Sequence, residues 1–169
     1  MKALIAGAGI GCLTAALCFQ HQGWAVEVFE KSSAIGEIGA GIQLSPNAMK
    51  VFEALGLDQA LIAAGFLPEG IEIRMGESGM RLIRMPLGDA AIKRWGAPYL
   101  HIHRAELISV LQTALAARAP GAVRLGVEIE AYTQTAEQVT AQLAGGGTVT
   151  GSVLVGADGI HSALRTQML

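Results

Sequence analysis

At 169 residues with a net charge of −2 and no run of Lys or Arg, the chain fits one domain and lacks the basic footprint of a nucleic-acid or anionic-membrane binder. Apolar residues make up 51% against 15% charged, with aromatics at 5% and 22 glycines, which suits an α/β core with tight turns better than a β-sandwich. Cys12 and Cys18 have no spacing that makes a zinc site or a disulfide framework, so a reducing cytoplasm is the expected setting.

Residues 3–19 are nearly all apolar, as an export signal or membrane anchor would be. A single leading charge, no small-x-small cleavage site and a length of about 17 residues, the short limit for a bilayer, argue against both. Residues 2–6 instead read as a buried parallel strand, and Gly7 to Gly11 as a turn. A helix from about Ile10 to Gln22 follows, closed by Gly23, and residues 24–30 form a second strand. This is the opening of a βαβ unit.

Residues 35–44 read as a glycine-punctuated loop. Ser45 as N-cap and Pro46 at the first helical position start a helix with Ala48, Val51, Phe52 and Leu55 as its buried stripe, ended by Gly56. Ile71, Ile73 and Met75 alternate with Glu72 and Arg74 as in a half-buried strand, and residues 81–85 are its hairpin partner. Residues 104–118 form a helix with Ile108, Leu111 and Leu115 on one face, ended by Pro120-Gly121. Short strands are expected at 123–125, 127–132, 138–143 and 148–155, with Gly145-Gly146-Gly147 as a loose turn.

The chemistry begins at Gly7-Ala8-Gly9-Ile10-Gly11-Cys12. Gly7 permits a sharp strand-to-helix turn, Gly9 lets a pyrophosphate approach the backbone, and the helix start offers N–H groups and partial positive charge to it. Cys12 stands where the third glycine of this fingerprint falls; Cys12→Gly is expected to be tolerated. Glu30 ends the second strand about 20 residues past Gly9, where an acid accepts hydrogen bonds from an unphosphorylated ribose, as in FAD or NAD. Lys31 beside it is counted with the site. Glu30→Ala is expected to weaken nucleotide binding without disturbing the fold.

Gly156-Ala157-Asp158-Gly159-Ile160-His161-Ser162-Ala163-Leu164-Arg165 follows a strong apolar strand. Here the chain resembles the FAD-dependent aromatic hydroxylases, which include salicylate and hydroxybenzoate monooxygenases. Their second signature, Gly-Ala-Asp-Gly-x-x-Ser-x-x-Arg, is matched at Gly156, Ala157, Asp158, Gly159, Ser162 and Arg165. Asp158 can pin the turn near the pyrophosphate or cap the following helix, and Gly159 keeps the backbone open.

By the same resemblance, residues 38–48, with Gly39, Gly41 and Ile42, pass the isoalloxazine ring. Gln43 falls where some relatives hold a catalytic base; an amide cannot act so, and it would orient substrate or flavin. Arg104 begins the family's Arg-x-x-Leu helix and would reach FAD, while Ile129 would cover the adenine. His21, His101, His103 and His161 are read as structural, and no metal is expected.

The resemblance implies an α/β fold: a Rossmann-like FAD-binding βαβ core with part of an additional β-sheet. Residues 1–169 would be an FAD-binding domain fragment, truncated, that includes substrate-domain strands at about 66–100. The implied activity is NAD(P)H- and O2-dependent hydroxylation of a small aromatic, phenolic-acid-like substrate, with FAD as cofactor. An NAD-binding dehydrogenase domain and a non-catalytic nucleotide-binding remnant remain as alternatives. Association into a homo-oligomer through exposed apolar surface is expected.

Overall fold

The computed structural model describes residues 1–36 and 40–169, and the chain divides into two compact units, residues 1–37 with 111–169, and residues 38–110. The first unit is organised by β1 (Lys2–Ala6), whose Ala3, Leu4 and Ile5 are fully buried. A strand with both faces covered reads as a continuous apolar run, as this one does. β1 pairs in parallel with β2 (Ala25–Glu30) on one side and β11 (Val153–Gly156) on the other; β7 (Val123–Leu125) extends the sheet beyond β2. The crossover from β1 to β2 is α1 (Ile10–His21), which buries Cys12, Leu13, Ala16 and Leu17, and Gly23 closes it at φ +78°. Strand, turn, helix and strand all lie where the sequence places them.

The same unit carries an antiparallel sheet of β8 (Ile129–Gln134), β9 (Val139–Leu143) and β10 (Thr148–Gly151). Leu4, Ala6, Phe29, Ile129, Val139, Ala141 and Leu164 form one core cluster drawn from both sheets and α6 (Ala163–Met168). The stretch 148–155, expected as one strand, is two strands in two sheets. At Gly151 a Cβ would stand 2.8 Å from the Leu4 Cγ and 3.0 Å from the Lys2 carbonyl oxygen, so the chain presses against β1 and changes sheet there. The Ser152 N–H donates to that Lys2 carbonyl at 2.7 Å.

In the second unit β3 (Gly41–Leu44) pairs antiparallel with β6 (Leu100–His103), which corrects the reading of residues 35–44 as all loop. Ile38 and Gly39 lie outside the described residues. α2 (Pro46–Ala54) starts at Pro46 behind Ser45, but Ser45 makes no side-chain cap bond and its hydroxyl donates to Asn47. The buried side is set by Pro46, Met49 and Phe52, with Leu55 just beyond the helix; Val51 is 41% exposed and Ala48 half-buried. α3 (Asp58–Ala64) and α4 (Asp89–Trp95) escaped the sequence reading, since seven residues barely complete two turns of a periodic pattern.

β4 (Gly70–Arg74) and β5 (Arg81–Pro86) form the expected hairpin, but not a half-buried one. Its apolar side chains Ile73, Ile83 and Met85 are about half exposed, because no third strand lies beside them among the described residues. Glu72 is held by Arg74 at 2.6 Å and Arg81 at 3.1 Å. α5 (Arg104–Arg118) begins in the second unit and runs from Leu111 onward in the first, with Leu107, Leu111 and Leu115 fully buried.

The contact at Gly151 yields a direct test. Gly151→Val places branched atoms against the Lys2 backbone and Leu4, and overpacking of this kind costs about 1–3 kcal/mol. Urea unfolding should show a lower midpoint, whereas Gly145→Ala, in open space on the turn, should lose only what its positive φ costs.

Candidate functional site

β1 delivers Gly7, whose φ of +98° only glycine adopts without strain and whose N–H donates to the Phe29 carbonyl at 2.7 Å. A Cβ on Gly7 would meet the Ala157 carbonyl oxygen at 2.9 Å and the Cys12 sulfur at 3.0 Å. Two glycine turns, after β1 and after β11, are therefore packed against each other. Gly9 has the opposite environment. Nothing lies within 4 Å of where its Cβ would be, and it is the N-cap of α1, which has no side-chain cap and no acid in its first turn. Ile10 and Gly11 open α1, where the first amides have no intrahelical acceptor, but neither residue is among those lining the cleft described below.

Glu30 ends β2 and reaches back to this turn. One carboxylate oxygen accepts the Ala8 N–H at 2.8 Å and the other the Ser32 N–H at 2.9 Å. Burial pushes the Glu30 carboxyl up, but these amides, the Ser32 hydroxyl and the Lys31 charge outweigh it and hold it below the ordinary value. The acid expected to take a ribose thus also braces the loop that would take the phosphates.

Asp158 likewise serves the protein itself. One oxygen accepts the Ser162 hydroxyl and the other the Ala163 N–H at 3.0 Å, so it caps α6 together with Ser162, which accepts the Arg165 N–H at 2.9 Å. Arg165 Nη2 donates to the Ile160 carbonyl at 2.6 Å, and Gly159 turns at φ +93°. Asp158, Ser162 and Arg165 of the matched segment thus all tie down this turn.

These pieces border one cleft of about 220 Å³, lined by Gly7, Gly9, Glu30, Lys31, Ile129, Asp158 and Gly159. Seven of the residues singled out in the sequence are brought together. Ile129 is buried in the core cluster as well as lining the cleft. Glu128 and His161 also line it; the first was not foreseen and the second was read as structural, since neither has a local spacing signal. A larger, more apolar cleft of about 390 Å³ shares Asp158 and Gly159 but has neither the glycine turn nor the start of α1.

Gly41, Ile42, Gln43 and Arg104 belong to the second unit. Gly41 lies opposite His103 in the β3–β6 pair, Ile42 is half-buried, and exposed Gln43 accepts the Tyr99 hydroxyl at 2.7 Å. Arg104 opens α5, half-buried, with its N–H on the Ala40 carbonyl at 3.4 Å. No group of three His, Cys, Asp or Glu side chains among the described residues is placed to hold a metal. No helix among them is long and apolar enough to cross a membrane.

Cys12 fills the third-glycine position with a role of its own. Its thiol is buried and pushed up by that burial, and it donates to the carbonyls of Ala157 at 3.2 Å and Ala6 at 3.7 Å. It stitches the two turns, so Cys12→Gly would open a void instead of being neutral.

A glycine turn, an uncapped helix start and a strand-end acid around one cleft define a dinucleotide-binding βαβ site. The chain belongs to the family described as FAD binding domain, which matches residues 1–168. It is 36% identical over 169 residues to 3-amino-4-hydroxybenzoate 2-monooxygenase of Streptomyces cremeus, covering all of this chain and 42% of that protein. It is 37% identical over 166 residues to 3-hydroxybenzoate 6-hydroxylase 1 of Aquipseudomonas alcaligenes, covering 98% of this chain and 42% of that one. The structure of Klebsiella pneumoniae HpxO complexed with FAD and uric acid superposes with a TM-score of 0.83 at 30% identity, over 99% of this chain and 41% of that chain. The chain thus spans about two-fifths of the length of these relatives, and FAD is the family's cofactor.

The residues present fit that group: open space over Gly9, a positive helix start and a carboxylate at the strand end. Two glycine substitutions separate fold from binding. Gly7→Ala should cost about 1–3 kcal/mol of stability through positive φ and the Ala157 contact. Gly9→Ala should melt with the wild type yet bind FAD tenfold or more weakly, because its methyl enters the cleft; equal affinity would remove Gly9 from the site.

Glu30 predicts a pH dependence. A carboxyl held below its unfolded value stabilises the fold above the ordinary carboxylate range, near about 4.3, and that stabilisation disappears as pH falls through the lowered value. Glu30→Gln should therefore melt lower at neutral pH and converge with the wild type in acid. Glu30→Ala should also lose stability, because Ala8 and Ser32 lose their acceptor. Thermal melts across pH 3 to 7, a range bracketing about 4.3, check both.

Proposed function

We propose that this chain supplies the nucleotide-holding part of a flavin-dependent, NAD(P)H-using monooxygenase that hydroxylates a small aromatic, phenolic-acid-like compound with O2. The observation that carries the reading is the convergence of Gly7, Gly9, Glu30, Asp158 and Gly159 on one cleft within a family member whose relatives are named as monooxygenases of hydroxybenzoates. FAD, when bound, would carry two electrons from NAD(P)H to O2, one atom of which goes to the ring while the other leaves as water.

The protein's own residues hold and orient. The start of α1 and the bare backbone at Gly9 receive the pyrophosphate, and Glu30, with lone pairs left after its two amide bonds, accepts ribose hydroxyls. Lys31 adds positive charge at the rim, and Ile129 offers an aliphatic wall for the adenine. Asp158 acts at one remove, keeping the second turn in shape. Gln43, whose amide oxygen is taken by Tyr99, has its NH2 group to offer a flavin or substrate acceptor, while Gly41, Ile42 and Arg104 complete the ring-side set. An NAD-dependent dehydrogenase reading is set aside by the family match.

Two free thiols, Cys12 and Cys18, support a cytoplasmic setting. The exposed apolar side chains of the β4–β5 hairpin support association with further polypeptide, a second copy included. Titration of the purified chain with FAD should show saturable quenching of flavin fluorescence, displaced by ADP. Binding of NADH at the same site in preference to FAD would overturn the reading.

A further inference from the structure

Three of the chain's six methionines, Met75, Met80 and Met85, belong to the β4–β5 hairpin and its turn. They are 44%, 59% and 48% exposed, whereas Met49 on α2 is 1% exposed. The turn ties two of them together: the Met75 N–H donates to the Met80 carbonyl at 2.9 Å, and the Gly79 N–H donates to the Met75 carbonyl at 3.0 Å. In the ladder Met85 stands opposite Ile71, and Ile83 opposite Ile73. Cross-strand partners share a face, so these four side chains form the apolar side of the hairpin, and Glu72 with its arginines takes the other.

The chain's other sulfur atoms are placed differently. Met1 and Met168 are exposed at the two ends, where no apolar face surrounds them. Cys12 is buried and Cys18 half-buried, and burial pushes both thiols up. A thiol attacks a peroxide as its thiolate, so little of the reactive form is present in either cysteine. A thioether has no proton to lose, and access alone governs its reaction. Access is what the hairpin methionines have and Met49 lacks.

We propose that the β4–β5 hairpin is a modification site for hydroperoxides, at which Met75, Met80 and Met85 become sulfoxides. A sulfur lone pair attacks one oxygen of hydrogen peroxide, an S–O bond forms and the O–O bond breaks. The departing hydroxide takes the proton of the transferred hydroxyl and leaves as water. Sulfur is oxidised by two electrons and the peroxide is reduced by two. Each sulfoxide sets a strong dipole among Ile71, Ile73 and Ile83, which turns an apolar face polar. The fold is untouched, because none of the three sulfurs belongs to the buried core. The site lies wholly within the second unit and does not depend on the flavin reading.

Hydrogen peroxide added to the purified protein in mildly acidic buffer, followed by digestion and mass mapping, tests it. Met75, Met80 and Met85 should each gain one oxygen at least tenfold faster than Met49. Circular dichroism should stay unchanged, and Cys12 and Cys18 should remain free. Retention on a hydrophobic-interaction column should fall with the oxidation. In Met75→Leu/Met80→Leu/Met85→Leu, a swap that keeps apolar volume, the fall should shrink to less than half and report only Met1 and Met168. Met49 reacting as fast as the hairpin, either thiol oxidising ahead of it, loss of structure on treatment, or an equal fall in the leucine variant would overturn the proposal.

Discussion

The carboxylate of Glu30 holds the nucleotide cleft in shape. Its side chain accepts the amides of Ala8 and Ser32, and its main-chain carbonyl accepts the Val127 N–H at 2.9 Å. One residue at the end of β2 thereby ties the glycine turn, the segment leaving β2, and the segment entering β8. Hydrogen bonds to a charged acceptor are stronger than neutral ones, and here two of the donors are backbone groups with few other options. These bonds are made within the protein itself, so they brace the loop without calling on a ligand.

The second turn repeats the device with different atoms. Asp158 accepts from Ser162 and Ala163 much as Glu30 accepts from Ala8 and Ser32. Between the turns sits Cys12, whose thiol reaches a carbonyl on each side. Cysteine at position 12 fills with a small polarizable group the space that a glycine there would leave empty. The side chains most readily taken for ligand contacts spend much of their bonding capacity on backbone geometry.

What was legible in the sequence was local. Gly7, Gly9 and Glu30 lie within one βαβ unit, and their spacing alone predicts that they meet. α4 was missed because it is too short for periodicity to show; the signals that could have found it are Asp89 in its first turn, Lys93 and Arg94 in its last and the left-handed Gly96 beyond. The division of 148–155 between two sheets was not legible, because its cause is a contact with Lys2 and Leu4 at the other end of the chain. The exposure of the β4–β5 hairpin was hidden for a related reason: alternation reports two unlike faces, not whether anything covers the apolar one. Gln43 was visible as a polar residue in a loop, but its strand and its tie to Tyr99 depend on β6, far along the chain.

The Lys2 N–H donates to the Ser152 hydroxyl across 150 residues, and β1 is completed on that side by β11. During synthesis β1 leaves the ribosome with its fully apolar Ala-Leu-Ile core and waits for a further 150 residues before its second neighbour exists. β2 can cover one edge early, through a short crossover, but the other edge stays open to whatever polypeptide is near. The order of the strands therefore sets a window in the protein's birth when it most needs shielding, one that closes only when Val153–Gly156 emerges.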